Sequence, residues 1–404
     1  MFSRHYEKVI VACCFLTIFV NVGLASTAFS VHQPYIVALP GIGDTGGSLI
    51  LSVRTLSSLV VMIFLDRYYR LLDVRLGVLV ANLFTAAGFL VYSLAGNLPT
   101  FFCGAVFLGF GYGLGGMASA TYLVNRWFSS GIGSVVGFVS MGSGLASIVM
   151  PLIVVRIINT SSLSTAFGVE GALAAALGLL VFLFLRNRPS DMGLRPFERT
   201  ASGKASKREG RKAGSSERPL PKGERLAVLA AMVGVGVFSC CGITYLSVLA
   251  TSSGFDALFA AVLVSVAGAA LTVAKFVTGE LFDHLGTPAG SAIMFTLAFA
   301  GFAMCCLAGL GNAPFMVCAA VLVGAGLSLG SVGVSVWSLD MSDAANRARE
   351  IKNFQVAYAL GGFIANTLPG IVKDLVGTYV VSYMALLVIT ALAAFIVLRQ
   401  YRAK

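Results

Sequence analysis

The chain has 404 residues, of which 57% are apolar and only 11% charged, where an ordinary soluble domain carries about 25% charged residues. Too few charges to cover a water-soluble globule exclude that class and make lipid the solvent for most of the surface. A formal net charge of +11 would suit a nucleic-acid partner, a reading that the positions of the basic residues remove.

A membrane-crossing helix needs about 20 mostly apolar residues. The first such stretch covers 9–36. It starts like a secretory leader, but no small-residue cleavage site precedes a soluble domain and eleven more apolar stretches follow, so it reads as the first span. His32, Gln33 and Tyr35 near its far end can hydrogen-bond. The second span, 47–65, carries Arg54 inside it and runs out through Met62-Ile-Phe-Leu-Asp66-Arg67-Tyr-Tyr-Arg70. Spans three to six cover 74–95, 99–125, 131–155 and 165–186. The fourth holds Gly109, Gly111, Gly113, Gly115 and Gly116 with Tyr112 and Tyr122, and closes on Arg126-Trp127-Phe128. The fifth holds Gly137, Met141-Gly142-Ser-Gly144 and Pro151, and the sixth holds Glu170. Gly and Ser at three- and four-residue spacing let helix backbones approach closely in lipid, so spans four and five are expected to pack tightly yet slide.

Residues 187–223 are rich in Arg, Lys, Ser, Gly and Pro and read as a disordered linker between two halves, 1–186 and 224–404. Six more spans follow, over 225–250, 256–282, 288–310, 313–338, 352–373 and 378–399. Tyr245 lies in the seventh. The eighth contains Lys275 and then Gly279-Glu280-Leu-Phe-Asp283-His284-Leu-Gly286. Ser331 and Ser335 lie in the tenth, Tyr358 and Asn366 in the eleventh, which ends Leu368-Pro369-Gly370-x-x-x-Asp374-x-x-Gly377-x-Tyr379.

With the N-terminus in the cytoplasm, 24 of the 28 Lys and Arg residues fall on the cytoplasmic side. That is the positive-inside pattern, so both termini and the linker are expected there, in a cell inner membrane. The net charge is membrane topology and not a nucleic-acid footprint. Arg156 and Lys373 lie near the outer face, and Arg54 and Lys275 lie inside spans. The eight cysteines sit in apolar runs, three pairs of them vicinal, without zinc-site spacing; they read as packing residues. The three histidines, His5, His32 and His284, are scattered, and no nucleophile–base or metal constellation points to an enzyme, metal or cofactor.

The two halves repeat each other: Asp66 and Asp283 stand at equivalent ends of spans two and eight. Gly279-x-x-x-Asp283-x-x-Gly286 resembles the loop motif of the major facilitator superfamily, with Asp66-Arg67 as its first copy. Met62 and His284 replace the usual glycine and arginine. The glycine pattern of spans four and five and the end of span eleven are similar to the oxalate/formate antiporter and monocarboxylate transporter branch. Ser129-Ser130-Gly131 departs from that branch's basic pair. The resemblance implies an all-α membrane protein of twelve helices in two pseudo-symmetric six-helix bundles, functioning as a monomer in the bilayer. It also implies gating roles for Asp66, Arg67, Gly279, Asp283 and Gly286, and places Lys275 where the branch commonly has a substrate-binding arginine.

From the residues themselves, Lys275 stands eight positions before Asp283, about 12 Å into the bilayer at 1.5 Å per residue. Arg54 stands at similar depth in the pseudo-symmetric span. A cation from each half would converge on one anion; alternatively Lys275 pairs with Glu280 and Arg54 with Glu170. No Asp or Glu lies in the middle of spans one, four, seven or ten, which usually line the cavity in the superfamily the chain resembles; with two cations and no anion at the centre, the expected substrate is negative. Gln33, Tyr35, Tyr112, Tyr245, Tyr358 and Asn366 would add hydrogen bonds, and Glu170 and Glu280 are the candidates for proton coupling. The expected function is transport of a small organic anion, a monocarboxylate. An inorganic, nitrate-like anion is the alternative, and a membrane sensor or enzyme a more distant one.

Overall fold

The structure, a computed structural model, describes residues 6–128, 132–194, 197, 222–341 and 347–402. Among these, eleven helices are long and apolar enough to cross a membrane. The twelfth expected span is the 30-residue helix Arg347–Val376, whose charged ends, Asn366 and Pro369 make it more polar than the rest. The all-α class expected from the sequence is the one found, and no strand forms among the described residues.

In chain order, span one is α1 (Tyr6–Ile18), a π-helical stretch (Phe19–Thr27), a 3₁₀ turn (Phe29–His32) and α2 (Gln33–Val37). Then come α3 (Gly43–Ile63), α4 (Leu65–Leu71), α5 (Val74–Ser93), α6 (Leu98–Gly115), α7 (Met117–Trp127), α8 (Ile132–Thr160) and α9 (Leu163–Phe184). After the central segment follow α10 (Lys222–Thr244), α11 (Leu246–Ser252), α12 (Ala257–His284), α13 (Thr287–Cys306), α14 (Ala313–Gly326), α15 (Val332–Asp340), α16 (Arg347–Val376) and α17 (Val380–Arg402). The chain forms two compact units. One comprises Met1–His32, Leu39–Gly41 and Val53–Arg211, the other Gln33–Ala38, Ile42–Ser52 and Lys212–Lys404. The second unit therefore takes in α2 and the first turns of α3.

Helix starts are set by polar caps. Asn97 accepts the Thr100 amide at 3.0 Å, Ser162 that of Thr165 at 3.1 Å, Asp256 that of Phe259 at 2.8 Å and Asn312 that of Phe315 at 3.1 Å. Each cap satisfies one amide that the helix leaves orphaned, an effect of about 1 kcal/mol. At the other end of α12, Gly286 has φ +85°. A side chain there would be strained, which gives this motif glycine a local reason to be glycine.

In the first unit, the glycines of span four face two neighbours. A Cβ on Gly109 would fall 2.4 Å from the Arg54 carbonyl oxygen in α3, and one on Gly111 would meet Thr85 in α5 at 2.0 Å. Gly142 presses on α1, 2.4 Å from the Phe15 carbonyl oxygen, whereas a Cβ on Gly137 would meet nothing. The glycines of spans four and five thus seat their helices against α1, α3 and α5. Buried in the same unit, Asn21 in the π-helical stretch donates to Asn82 Oδ1 at 2.6 Å and accepts from Thr85 at 2.6 Å. At the end carrying the N-terminus, Trp127 and Phe128 are fully buried with Tyr6 against them. The Phe197 amide donates to the Trp127 carbonyl at 2.8 Å and its ring stacks on Trp127 at 6.2 Å. Pro189–Met192 forms a 3₁₀ turn; residues 195–196 and 198–221 of the expected linker lie outside the described residues.

Spans one, four, seven and ten are the interrupted ones: by the π and 3₁₀ segments, at Gly116, at Tyr245, and by the 3₁₀ turn Leu327–Gly330. Span two also breaks, but only near its end, at Phe64. Irregular backbone at membrane depth is tolerated where protein or a cavity satisfies it. At Gly116 the freed Leu114 carbonyl accepts both the Tyr69 hydroxyl, at 2.8 Å, and the Ser119 hydroxyl.

Candidate functional site

In the first unit, Arg54 is buried in α3, 6% exposed. Its guanidinium donates to the Ala25 carbonyl at 2.5 Å, where the π-helical stretch leaves the regular ladder, and lies 5.6 Å from the centre of the Phe29 ring. Phe29 stacks in turn on His32 at 5.1 Å, and His32 on Phe167 at 4.7 Å. Behind that ring stands Glu170, its Oε2 2.9 Å from His32 Nε2, with both residues at most 1% exposed. His32 is thus the basic group against Glu170. Nothing local pairs the two residues in sequence, since 3₁₀ turn and α9 are brought together only by the fold. Tyr112, half-buried on α6, precedes the break at Gly116.

In the second unit, Lys275 lies in α12, nine residues from its end, or about 14 Å along the helix. It is half-buried. Among the described residues it makes no ion pair or hydrogen bond. The alternative partner, Glu280, is exposed and paired with His284 at 3.2 Å, one helical turn on. Tyr358, on α16, comes within 4.0 Å of Cys240 Sγ. Gln33 is buried, with its amide 3.5 Å from the Gly47 carbonyl, and Tyr35 is half-buried beside it in α2.

Tyr245 and Asn366 belong to a cluster the sequence reading did not assemble. The Tyr245 hydroxyl donates to the Asn366 carbonyl at 2.8 Å. A hydroxyl has one proton to give, so Ser48 Oγ, 2.8 Å away, must donate to Tyr245; Ser48 accepts in turn from the Gly370 amide at 2.8 Å. Nearby, Tyr379 donates to Asp44 Oδ1 at 2.6 Å, the Thr45 amide to Asp374 at 2.9 Å, and Ser52 meets Thr367 at 2.8 Å. Burial pushes the Tyr379 phenol well up, and Asp44, through its hydrogen bond and charge, pushes it further. The phenol keeps its proton and its bond at any ordinary pH. Of the expected gating residues, Arg67 is exposed and Gly279 lies within α12; the side chains of Asp66 and Asp283 lie outside the described residues.

The sequence matches the family profile described as Major Facilitator Superfamily over residues 13–366. The chain belongs to the major facilitator superfamily. No curated protein matches this facilitator by sequence. Among solved structures, it is similar to a bacterial homolog of the human lysosomal transporter Spinster, in an inward-facing and unoccupied conformation, at 14% identity and TM-score 0.68, covering 98% of this chain and 97% of the other. A variant of the nucleoside transporter NupG gives 13% identity and TM-score 0.72, covering 96% and 98%. A POT family transporter in complex with 5-aminolevulinic acid gives 17% and 0.69, covering 98% and 95%. At these identities the likeness is one of fold. The facilitator is therefore a multi-pass secondary transporter and not an enzyme.

Proposed function

We propose that this facilitator moves a small organic anion, a monocarboxylate, across the inner membrane by alternating access. Arg54 and Lys275 are the fixed positive charges that recognise it. Gln33, Tyr35, Tyr112, Tyr245, Tyr358 and Asn366 contribute hydrogen-bonding groups, and Asp66, Arg67, Gly279, Asp283 and Gly286 the gating elements. Both termini and the central basic segment are cytoplasmic, and one chain is the functional unit. The observation that carries the reading is Lys275, a half-buried lysine inside a span with no acidic partner among the described residues. A lysine at mid-membrane costs about 3 kcal/mol even on the lower scales, unless something brings the opposite charge. A substrate that brings it lets the loaded carrier reorient more readily than the empty one, which favours exchange over uniport.

The test is uptake and counterflow in proteoliposomes with labelled formate, acetate, lactate, oxalate, nitrate and an uncharged nucleoside. Saturable exchange of the monocarboxylates is expected. Exchange of nitrate alone would transfer the reading to inorganic anions, and exchange of the nucleoside alone would refute an anion carrier.

A further inference from the structure

The His32–Glu170 pair is an ionisable cluster buried in the first unit, and its geometry and burial set how many protons it holds. His32 Nδ1 lies 3.2 Å from the Phe29 carbonyl oxygen. A carbonyl can only accept, so Nδ1 carries a hydrogen and donates it. The other nitrogen, Nε2, then bears a lone pair in neutral histidine and a hydrogen only in the imidazolium. It lies 2.9 Å from Glu170 Oε2, out of line for a hydrogen bond, and among the described residues neither that nitrogen nor either carboxylate oxygen has a hydrogen-bond partner. A lone pair against a carboxylate at that distance would set two acceptors against each other, out of water. A buried carboxylate with no donor is costly, so the pair holds one proton, on the imidazole or on the carboxyl, and in either form it is neutral overall.

The surroundings leave the proton's loss and gain to be felt by one charge. Phe29 and Phe167 sandwich the imidazole. Arg54 of α3 lies over the Phe29 ring, 5.6 Å from its centre. From α5 comes Tyr92, fully buried, its ring 5.7 Å from Phe29 and 5.2 Å from Phe167, its hydroxyl without a partner among the described residues. From α6 comes Phe101, 6.4 Å from Phe167, and Ser30 of the 3₁₀ turn itself is buried. The one charged residue of α8 (Ile132–Thr160), Arg156, is exposed, and Glu170 is the one charged residue of α9 (Leu163–Phe184). Arg54 is therefore the fixed charge that the pair senses, through their common neighbour Phe29.

We propose that His32 and Glu170 form a proton-binding site that takes up or gives off one proton during the transport cycle. Deprotonation leaves a buried carboxylate that Arg54 attracts; neutralising Arg54 with a bound anion removes that attraction and holds the proton on. Arg54 lies within about 11 Å of the imidazole by way of Phe29, with the Glu170 carboxylate one 2.9 Å contact beyond; at an effective dielectric near 20, charges about 14 Å apart couple by roughly sevenfold in affinity. By linkage, protonation strengthens anion binding by the same factor. The proton site rests on its own geometry; only this coupling rests on the anion reading above.

Two measurements on the full chain in liposomes separate them. In the first, infrared difference spectra against pH should show a carboxyl stretching band that titrates together with an imidazole band, and Glu170→Gln should abolish the carboxyl band. Glutamine has the size and shape of the protonated carboxyl, so this variant keeps the pair's packing. Glu170→Asp should retain a titrating band at a shifted position, and decides the matter if the glutamine variant does not fold. A spectrum unchanged by either substitution would overturn the proposal. In the second, an imposed acid-outside gradient should drive accumulation of labelled formate in the wild type, at least tenfold more than in Glu170→Gln, which keeps counterflow. Accumulation by Glu170→Gln at the wild-type level also overturns the proposal. If the wild type carries no anion of the panel, the anion reading fails, while the infrared titration still decides whether the proton site exists.

Discussion

Gly370 offers the sharpest perturbation. It stands where α16 meets the first turns of α3, both within the second unit. A Cβ added there would fall 2.1 Å from the Asp44 carbonyl oxygen and 2.2 Å from Ser48 Oγ. One obstacle is backbone and the other is a short side chain already held by two hydrogen bonds, so the helices must part. Overpacking of this kind costs about 1–3 kcal/mol, and the hydrogen bond from the Gly370 amide to Ser48 contributes about 1 kcal/mol more if it goes. Alternating access requires a contact of this sort to close in one state and open in another. If this is such a contact, Gly370→Ala multiplies the open population by about 5–150. The assay is maleimide labelling of a cysteine at Ser52, which is 5% exposed, with the native cysteines replaced. Its labelling rate should rise by that factor. Gly168→Ala is the control, since a Cβ there meets nothing within 4 Å. A Gly370→Ala protein that folds and labels at the parent rate would refute a gating role for the contact.

Lys275→Gln should abolish anion counterflow by a folded, inserted protein, while Lys275→Arg keeps part of it with altered preference among anions, because guanidinium offers two parallel donors where ammonium offers a point charge. Wild-type transport by Lys275→Gln would make the lysine structural. Phe197→Ala removes the ring stacked on Trp127 and should speed tryptic cleavage of the central segment severalfold at unchanged transport rate. Deleting 204–214 should leave transport nearly intact, as a solvated tether would; loss of activity at normal expression would give that segment a function.

The spans were legible because hydropathy averages over twenty residues: the expected 313–338 and 165–186 lie on Ala313–Ser338 and Leu163–Phe184. Lys275 was legible for the same reason, as a lone charge in an apolar run. What averaging hides is where a helix breaks. Nothing in Phe19–Thr27 announces a π-helical stretch except Asn21, a carboxamide in an otherwise apolar and small run, whose partners Asn82 and Thr85 lie more than sixty residues on. His32 and Glu170 likewise carry no shared local pattern, and reading Glu170 as a partner for Arg54 overlooked the imidazole that lies against it. The tyrosine at 245 was legible as a polar residue in a span, but not the bonds its hydroxyl makes to Ser48 and Asn366, which lie far from it in sequence.

The interrupted spans one, four, seven and ten recur with a period of three, as a fold built from three-helix repeats would give. In lipid, each backbone group released by a break costs several kcal/mol unless another group takes it up. The structure shows which groups do so. Tyr69 and Ser119 serve Leu114 at the span-four break, and Arg54 serves Ala25 in span one. At the break in span ten, the Ser331 hydroxyl donates to the Ser328 carbonyl at 3.2 Å. In span seven the residue at the break, Tyr245, reaches out to α3 and α16 instead. A side chain recruited to satisfy a break is also one whose bond must be remade if the helix bends there. That joins two features the sequence kept apart: Arg54, the buried cation proposed to hold the anion, is hydrogen-bonded to the irregular backbone of span one. A substrate bound at Arg54 as proposed would compete for a guanidinium that stabilises that backbone, and would so couple binding to the conformation of the span that carries His32.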